Sequence, residues 1–474
     1  MVEQIVAAIV RGNIPPDKPL PPSRVLASQL GVARNTVTLA YYRLKDDGFL
    51  VSKERSGFYV NPDAIEASAA VPRRATDTVD PLFAPDWSAR TLRLPSAQRN
   101  IEKPGNWTEY PYPFIYGQLD YNLFPVHHWR ECCRDAASVS AVRDWAGDQV
   151  HQDDDMLIAQ IRQHLLPRRG VFAESDQIMI TVGAQQALYM IARLFLDATT
   201  TIGIEDPGYV DIRNIADLNR ARIQPLPIDE QGLVINNAIG RCDYVYVTPS
   251  HQSPTTVTLP LERRNALLDM AVRDDIVIIE DDYESEMAFL STPTPALKSL
   301  DKNSRVIYVG SLSKTLAPGL RIGYVVASAD LIRELRAMRR LIVRHPAANN
   351  QRAAAMFMAR GYYESHKRSL VRTYKERHLA LRDALDRYLP DSTTVPAHGG
   401  SSFWITAHPR LDARKLAEAA ASHGLLIEPG DVHFQSANPP RNCFRLGFSS
   451  IDTERIEPGI KLLSELVERT SDSH

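Results

Sequence analysis

The chain has 474 residues, 44% of them hydrophobic and 24% charged, with a formal net charge of -2. Those proportions belong to an ordinary globular protein and exclude wholesale disorder, collagen-like repeats and an extended coiled coil. At ~100–200 residues per domain, the length implies two to four folding units.

Charge is unevenly divided. Residues 1–60 hold 8 Lys and Arg against 5 Asp and Glu, a net +3, and the remainder carries a net -5. A small basic module on a mildly acidic body suits a nucleic-acid partner. The first element, 2–10, reads as a helix with Ile5, Val6 and Ile9 on one face. A short helix over 24–30 follows, N-capped by Ser23. Gly31 supplies the turn, because glycine enters the left-handed region without steric cost. The next helix, 35–47, offers Val37, Leu39, Ala40 and Leu44 for packing and is stopped by Gly48. Strand-like FLVS (49–52) and GFYV (57–60) flank the basic turn KERS (53–56). A helix–turn–helix followed by a hairpin is a winged helix. Arg34, Asn35, Thr36 and Thr38, at the start of the second of its paired helices, would reach base edges in a major groove. Arg24, Lys53, Arg55, Ser56 and Gly57 would grip phosphates and set position. A helical subdomain for protein contacts is the alternative.

Residues 62–85, rich in Ala, Pro, Thr and Asp and without a period, form the core of a linker expected to run over 62–106. From 107 to 474, helical patterns (157–166, 184–196) alternate with strands (177–183, 201–206, 244–249, 275–282, 305–310, 321–328). Short β-branched runs separated by helices imply parallel strands with crossover helices, so the larger domain is α/β. No stretch approaches the ~18 uninterrupted apolar residues of a membrane span, and no secretory signal pattern is seen. The four cysteines (Cys132, Cys133, Cys242, Cys443) lack CxxC and zinc spacing, so neither a disulfide framework nor a metal is expected.

Several clusters carry chemistry. Gly310-Ser311-Leu312-Ser313-Lys314 follows a strand and precedes Arg321: the serines and the arginine can hold a phosphate, and a lysine beside such a cup is what an internal aldimine with a pyridoxal cofactor needs. Ile279-Glu280-Asp281-Asp282-Tyr283 places carboxylates at the end of a buried strand. A pyridinium N–H would suit one of them, and metal ligation or a solvated loop remains open. In Thr181-Val182-Gly183-Ala184-Gln185, a strand, a glycine and a helix N-terminus form an anion site. Tyr209 either stacks on a flat ring or packs in the core. Arg445, alone in the apolar strand Phe444-Arg445-Leu446-Gly447-Phe448, needs a buried partner, either a ligand carboxylate or an internal Asp or Glu.

Residues 1–60 resemble the GntR-type winged helix through Leu20-Pro21-Pro22-Ser23-Arg24, Leu26-Ala27, Leu30-Gly31-Val32, Arg34-Asn35-Thr36-Val37, Tyr41, Leu44, Gly48 and Gly57. Residues 107–470 resemble fold-type I pyridoxal-phosphate proteins, the aminotransferase fold. Joined in one chain, the two halves look like the MocR subfamily of bacterial regulators. The resemblance implies pyridoxal 5'-phosphate held on Lys314 as a Schiff base, with Asp281 at the pyridine nitrogen, Tyr283 at the phenolic oxygen and Tyr209 stacking. It gives the phosphate to Gly183, Ala184, Gln185, Ser311, Ser313 and Arg321, and the effector carboxylate to Arg445. The Tyr116-Gly117 loop is expected to reach a neighbouring subunit. Two departures bear on turnover. Aminotransferases carry asparagine before Pro-Thr-Gly, whereas here Ser253 precedes Pro254-Thr255-Thr256, and His251 or Gln252 is expected to replace the missing amide. The likeness further implies a cytoplasmic, domain-swapped homodimer that binds double-stranded operator DNA and senses an amine or amino acid by aldimine exchange, without a membrane partner and without being an enzyme. GABA-like ω-amino acids, taurine and diamino acids all remain candidates. An active aminotransferase with an appended DNA-binding domain, or a regulator for which pyridoxal phosphate itself is the signal, is the alternative.

Overall fold

The computed structural model describes residues 1–10, 12–53, 56–64, 84–290, 294–394 and 399–471. The chain divides into two compact units, Met1–Leu92 and Arg93–His474.

The smaller unit contains α1 (Val2–Val10), α2 (Ser23–Leu30), α3 (Arg34–Asp46), β1 (Leu50–Lys53) and β2 (Gly57–Val60). Ser23 is the first residue of α2 and not its cap. Pro22 takes that position without a side-chain cap, and the Tyr41 hydroxyl donates to Pro21 O at 2.9 Å, tying the entry of α2 to α3. Gly31 ends α2 in the left-handed region at φ 66°. On α3, Val37, Ala40, Tyr41 and Leu44 are buried, whereas Leu39 is 70% exposed. The buried set repeats at three and four residues and so lies along one face, and position 39 points away from it. Ile9, Leu20, Leu50 and Val60 complete this core. Each fully buried side chain of this size contributes about 1.5–3 kcal/mol. β1 and β2 pair antiparallel, Leu50 opposite Val60 and Lys53 opposite Gly57, forming the wing.

In the larger unit β3 (Tyr112–Pro113) precedes a central sheet. Its strands are β4 (Ile178–Thr181), β5 (Thr201–Asp206), β6 (Arg222–Asp229), β7 (Gly232–Leu233), β8 (Tyr244–Val247), β9 (Val277–Asp282), β10 (Val306–Ser311) and β11 (Gly323–Val326), in the order β4-β11-β10-β9-β8-β5-β6-β7. The run β10-β9-β8-β5-β6 is parallel, as helices between the strands require. β11 departs from the expected parallel arrangement and is antiparallel to both β10 and β4. Only the 312–322 loop separates β10 from β11, too short for a crossover helix, so the chain doubles back. Side chains alternate between two helical layers: Tyr308 enters one core with Leu157, Ile161 and Phe357, and Ile307 and Val309 enter another with Ile191, Ile204 and Ile279. The expected helix over 157–166 is the α-helix Asp155–Gln160 continued by a π turn at Ile161–Leu165.

A second sheet, β12 (Thr393–Thr394), β13 (Ser402–Thr406), β15 (Glu428–Pro429) and β16 (Cys443–Gly447), is ordered β12-β13-β16-β15, and β14 (Leu425–Leu426) pairs with β3. Its core joins Phe403, Ile405 and Leu446 to Leu370 of the helix Tyr362–Tyr388 and to Leu463. Among the described residues no helix is long and apolar enough to cross a membrane.

Candidate ligand-binding site

The parallel strands β5, β8, β9 and β10 end on the same edge of the sheet, where open α/β sheets place ligands. A cavity of about 450 Å³ lies there, and Ala184, Gln185, Tyr209, Asp281, Tyr283, Ser311, Ser313, Lys314, Arg321 and Arg445 all line it. Ten of the expected residues, drawn from five separate segments, therefore share one space.

The elements explain how. β10 ends at Ser311, whose hydroxyl accepts from the Ser313 amide at 3.1 Å, and the turn presents Lys314 to the cavity. Withdrawal from water, which disfavours the charged amine, lowers the Lys314 pKa to about 8. Its Nζ lies 3.9 Å from the centre of the Tyr116 ring. The helix Gly183–Phe195 opens at the end of β4 and points its free backbone N–H groups toward this edge. Gly183 itself is at φ 73°, and a Cβ there would come 2.8 Å from an Arg321 guanidinium nitrogen, so glycine is what lets Arg321 close in. Arg321 donates to Val182 O at 3.2 Å. The Tyr209 hydroxyl lies 2.8 Å from Gln185 Oε1 and 2.9 Å from Asp211 Oδ2.

The acidic triplet at the end of β9 separates into three tasks. Glu280 accepts the Leu297 and Lys298 amides, each at 2.7 Å. Asp282 receives Arg169 at 2.7 Å and the Tyr308 hydroxyl at 2.7 Å. Asp281 alone faces the cavity: its Oδ2 accepts from the Tyr246 hydroxyl at 2.8 Å, and its buried Oδ1 has no hydrogen-bond partner among the described residues. Burial pushes its carboxyl up to about 7.

Arg445 finds an internal partner. Glu428 stands directly opposite it across β15 and β16, and the guanidinium donates to Glu428 Oε2 through Nε at 2.8 Å and pairs with it through a second nitrogen at 2.7 Å. Lys103 joins them, its Nζ 3.0 Å from Glu428 Oε1. Burial raises the Glu428 carboxyl, but the charges of Arg445 and Lys103 outweigh it and hold the group below its ordinary value. Neither His251 nor Gln252 lines the cavity; Ser253 does. His251 is buried, 3.4 Å from where a Gly400 Cβ would stand, and the Gln252 amide donates to Glu205, Pro207 O and Ser253 O. Tyr116 and Gly117, expected to serve a neighbouring subunit, line the cavity of their own chain. Lys103 and Glu428 escaped the sequence reading because neither sits in a recognisable motif. Tyr246 alternates with apolar residues in β8 and reads as core.

On the smaller unit Arg24, Arg34, Asn35, Thr36, Lys53, Ser56 and Gly57 are exposed, and Thr38 is half-buried with its hydroxyl on Arg34 O at 3.1 Å. The Lys53 ammonium lies over the Tyr59 ring at 4.4 Å, and the Ser56 hydroxyl meets that of Tyr59 at 2.7 Å. Arg55 lies outside the described residues.

Residues 1–60 match the bacterial regulatory proteins of the gntR family, and residues 117–463 match the aminotransferases of class I and II. The chain is 39% identical over 462 residues to the HTH-type transcriptional regulator TauR of Rhodobacter capsulatus, covering 97% of this chain and 94% of that protein. It is 31% identical over 468 residues to the probable rhizopine catabolism regulatory protein MocR of Rhizobium meliloti, covering 98% and 92%. An archaeal alanine:glyoxylate aminotransferase structure superposes with a TM-score of 0.71 at 26% identity, covering 75% of this chain and 90% of that one. The aminotransferase domain implies pyridoxal phosphate, and the cavity is chemically suited to it: a buried carboxylate oxygen without a partner, a lysine amine with a depressed pKa, and serine, arginine and helix N–H donors for a phosphate.

Proposed function

Because the chain belongs to the MocR subfamily of GntR-type transcriptional regulators, which join a DNA-binding winged helix to an aminotransferase-like domain for pyridoxal phosphate, we propose that it senses a small amine or amino acid at a lysine-held cofactor and converts that state into altered DNA binding. The observation that carries this reading is one cavity lined by an amine, a partnerless carboxylate oxygen and a buried arginine. In it Lys314 would anchor the cofactor covalently, and Asp281 would hold a proton on the ring nitrogen. Tyr283 would bond the phenolic oxygen, and Tyr209 would support the ring. Gly183, Ala184, Gln185, Ser311, Ser313 and Arg321 would bind the phosphate. When bound, the cofactor supplies an aldehyde carbon that condenses reversibly with primary amines.

The chain's own groups favour exchange over turnover. With its pKa lowered to about 8, about a tenth of Lys314 carries a free lone pair at pH 7, far more than an ordinary lysine does, which suits a group that must hold a carbonyl carbon and let it go. The Gln252 amide donates to Pro207 O and Ser253 O, and Ser253 stands where an asparagine would be, so the amide that aminotransferases aim at the ring oxygen would be missing. Arg34, Asn35, Thr36 and Thr38 would read operator bases, with Arg24, Lys53, Arg55, Ser56 and Gly57 on phosphates, in a cytoplasmic, domain-swapped homodimer. Sensing requires that the ligand favour one DNA-bound arrangement over another.

Lys314→Ala tests the reading. It should abolish the visible absorption band of the loaded protein and every response to amines, with DNA binding retained. Loss of DNA binding with the amine response intact would overturn it. Steady keto-acid release by the wild type at ~1 s⁻¹ or faster would mark an enzyme instead, and switching of DNA binding by cofactor removal alone would make pyridoxal phosphate the signal.

A further inference from the structure

Glu284, two residues beyond the end of β9, is buried, and its carboxyl is only half used. Ser401, just before β13, donates to Oε1, and Oε2 has no hydrogen-bond partner among the described residues. An acceptor buried and left open is costly unless something comes to it. Beside it lies a second, small cavity of about 10 Å³, room for a single water, lined by Glu284, Lys314, Tyr374, Ser401 and Ser449 together with Gly117. Two glycines in the left-handed region leave space for the charged ends. A Cβ on Gly117, at φ 77°, would come 2.8 Å from Lys314 Nζ, and one on Gly400, at φ 87°, would come 3.5 Å from Glu284 Oε2.

The charges sort into partners. Arg445 and Lys103 occupy both oxygens of Glu428. Asp281 has an open oxygen as well, but it faces the larger cavity and does not line the small one. Glu284 is the carboxylate left to Lys314. Burial raises the Glu284 carboxyl, and the Lys314 charge is the strongest influence against that, with Arg445 helping. Burial strips the proton from Lys314, and the Glu284 charge is the strongest influence holding it on; Lys103 and Arg445 push it off, and Glu428 helps to keep it. The other groups facing Glu284 are Tyr116, Tyr283 and Tyr374, whose hydroxyls burial and then the Glu284 charge hold above their ordinary value, so that they stay neutral. His251 lies beside Gly400, at the same place.

We propose that Glu284 is the proton partner of Lys314: a positioning residue, acting through the lysine, whose open oxygen receives the proton that Nζ gives up before its lone pair can add to a carbonyl carbon. In that step one N–H bond of the ammonium breaks, the electron pair stays on nitrogen, and the proton crosses the small cavity to Oε2. One ammonium and one carboxylate become an amine and a carboxylic acid. Two neutral groups are easier to keep in a dehydrated site than two charges, so the proton stays inside the protein, at hand when the amine is let go. The use of this device rests on the amine-sensing reading above, whereas the partnership itself belongs to the cofactor-free chain.

Acetic anhydride labels only unprotonated amines. Acetylation of Lys314 against pH, read by mass spectrometry on the full chain freed of cofactor, therefore gives the pH at which Nζ loses its proton, with exposed Lys302 as internal reference. In the wild type this midpoint should lie at about 8. Glu284→Gln keeps the shape and an acceptor for Ser401 but removes the charge, and the midpoint should fall to about 7 or below. Glu284→Asp draws the charge back by one methylene and should fall between the two, and Lys302 should not move in either. A purely structural role would lower the melting temperature of Glu284→Gln and leave the Lys314 midpoint in place, which overturns the proposal, as does an equal shift at Lys302. If Glu284→Gln does not fold, Glu284→Asp decides: a midpoint at the wild-type position overturns the proposal. No amine and no cofactor enters this measurement. A loaded chain whose visible band is silent to every amine would defeat the sensing reading and leave the partnership to be judged by the acetylation profile alone.

Discussion

Asp281 answers differently to an empty and a filled pocket. Burial raises its pKa from 3.8 to about 7, so the folded protein holds the proton more tightly than the unfolded chain does. A carboxyl raised in this way contributes most below pH 4, and that contribution is lost as pH rises through 7. Asp281→Asn should therefore make the cofactor-free protein more stable than wild type at pH 8, by up to about 4 kcal/mol, with the gain vanishing near pH 4. Urea unfolding at the two pH values checks this. In the loaded protein the same change should weaken cofactor retention, because the amide cannot keep the ring nitrogen protonated. Residues such as Asp281, Lys314 and Arg321 were legible because each lies in a short segment whose strand, turn and charge are contiguous. Lys103 and Glu428 were not: their meaning arises only where positions 103, 428 and 445 converge, and no local pattern encodes that. Arg445 was half legible, since a lone arginine in an apolar strand announces a partner without saying which of the two kinds it is.

At the scale of elements, α3 carries the DNA hypothesis. Its buried side is complete with Val37, Ala40, Tyr41 and Leu44, leaving Arg34, Asn35 and Thr36 exposed in its first turn. Arg34→Ala should lower operator affinity by about 1–3 kcal/mol if it contacts a base, or reduce the salt slope of binding by about one if it contacts a phosphate. Fluorescence anisotropy across a salt series separates the two, and cofactor uptake should be unaffected. The strands and helices themselves were largely visible from periodicity. The direction of β11 was not, because a run of β-branched residues specifies a strand but not which way it runs. Leu39 was misplaced by its hydrophobicity alone; the rotation per residue along a helix puts it outside.

At the scale of the whole molecule, residues 1–60 have a buried core of their own, built on Ile9, Leu20, Val37, Tyr41, Leu44, Leu50 and Val60. A ligand stabilises what it binds, by about 4 kcal/mol at a thousandfold excess over its Kd. Calorimetry should therefore show pyridoxal phosphate raising the transition of the larger unit and leaving that of the smaller one in place. The division into a DNA-binding and a cofactor-binding part was readable from charge and motif. The attachment of 93–106, expected as linker, was not: Arg93 donates to Leu218 O, Gln98 to Asn214 O and Arg99 to Phe434 O, and a segment without periodicity looks the same whether it hangs free or is pinned by side chains far away in sequence.

The Arg445–Glu428 pair has a consequence for how such a receptor waits. A buried arginine left without a counter-ion would make the vacant pocket an unstable state, and almost any anion would relieve it. With Glu428 already opposite, the arginine is compensated without a bound anion. On the sensing reading proposed above, an arriving acid would share a satisfied charge instead of rescuing a bare one, so its grip would be moderate and its departure easy. That would be the bearing of a gauge, which must fall back to zero once the concentration it reports has fallen.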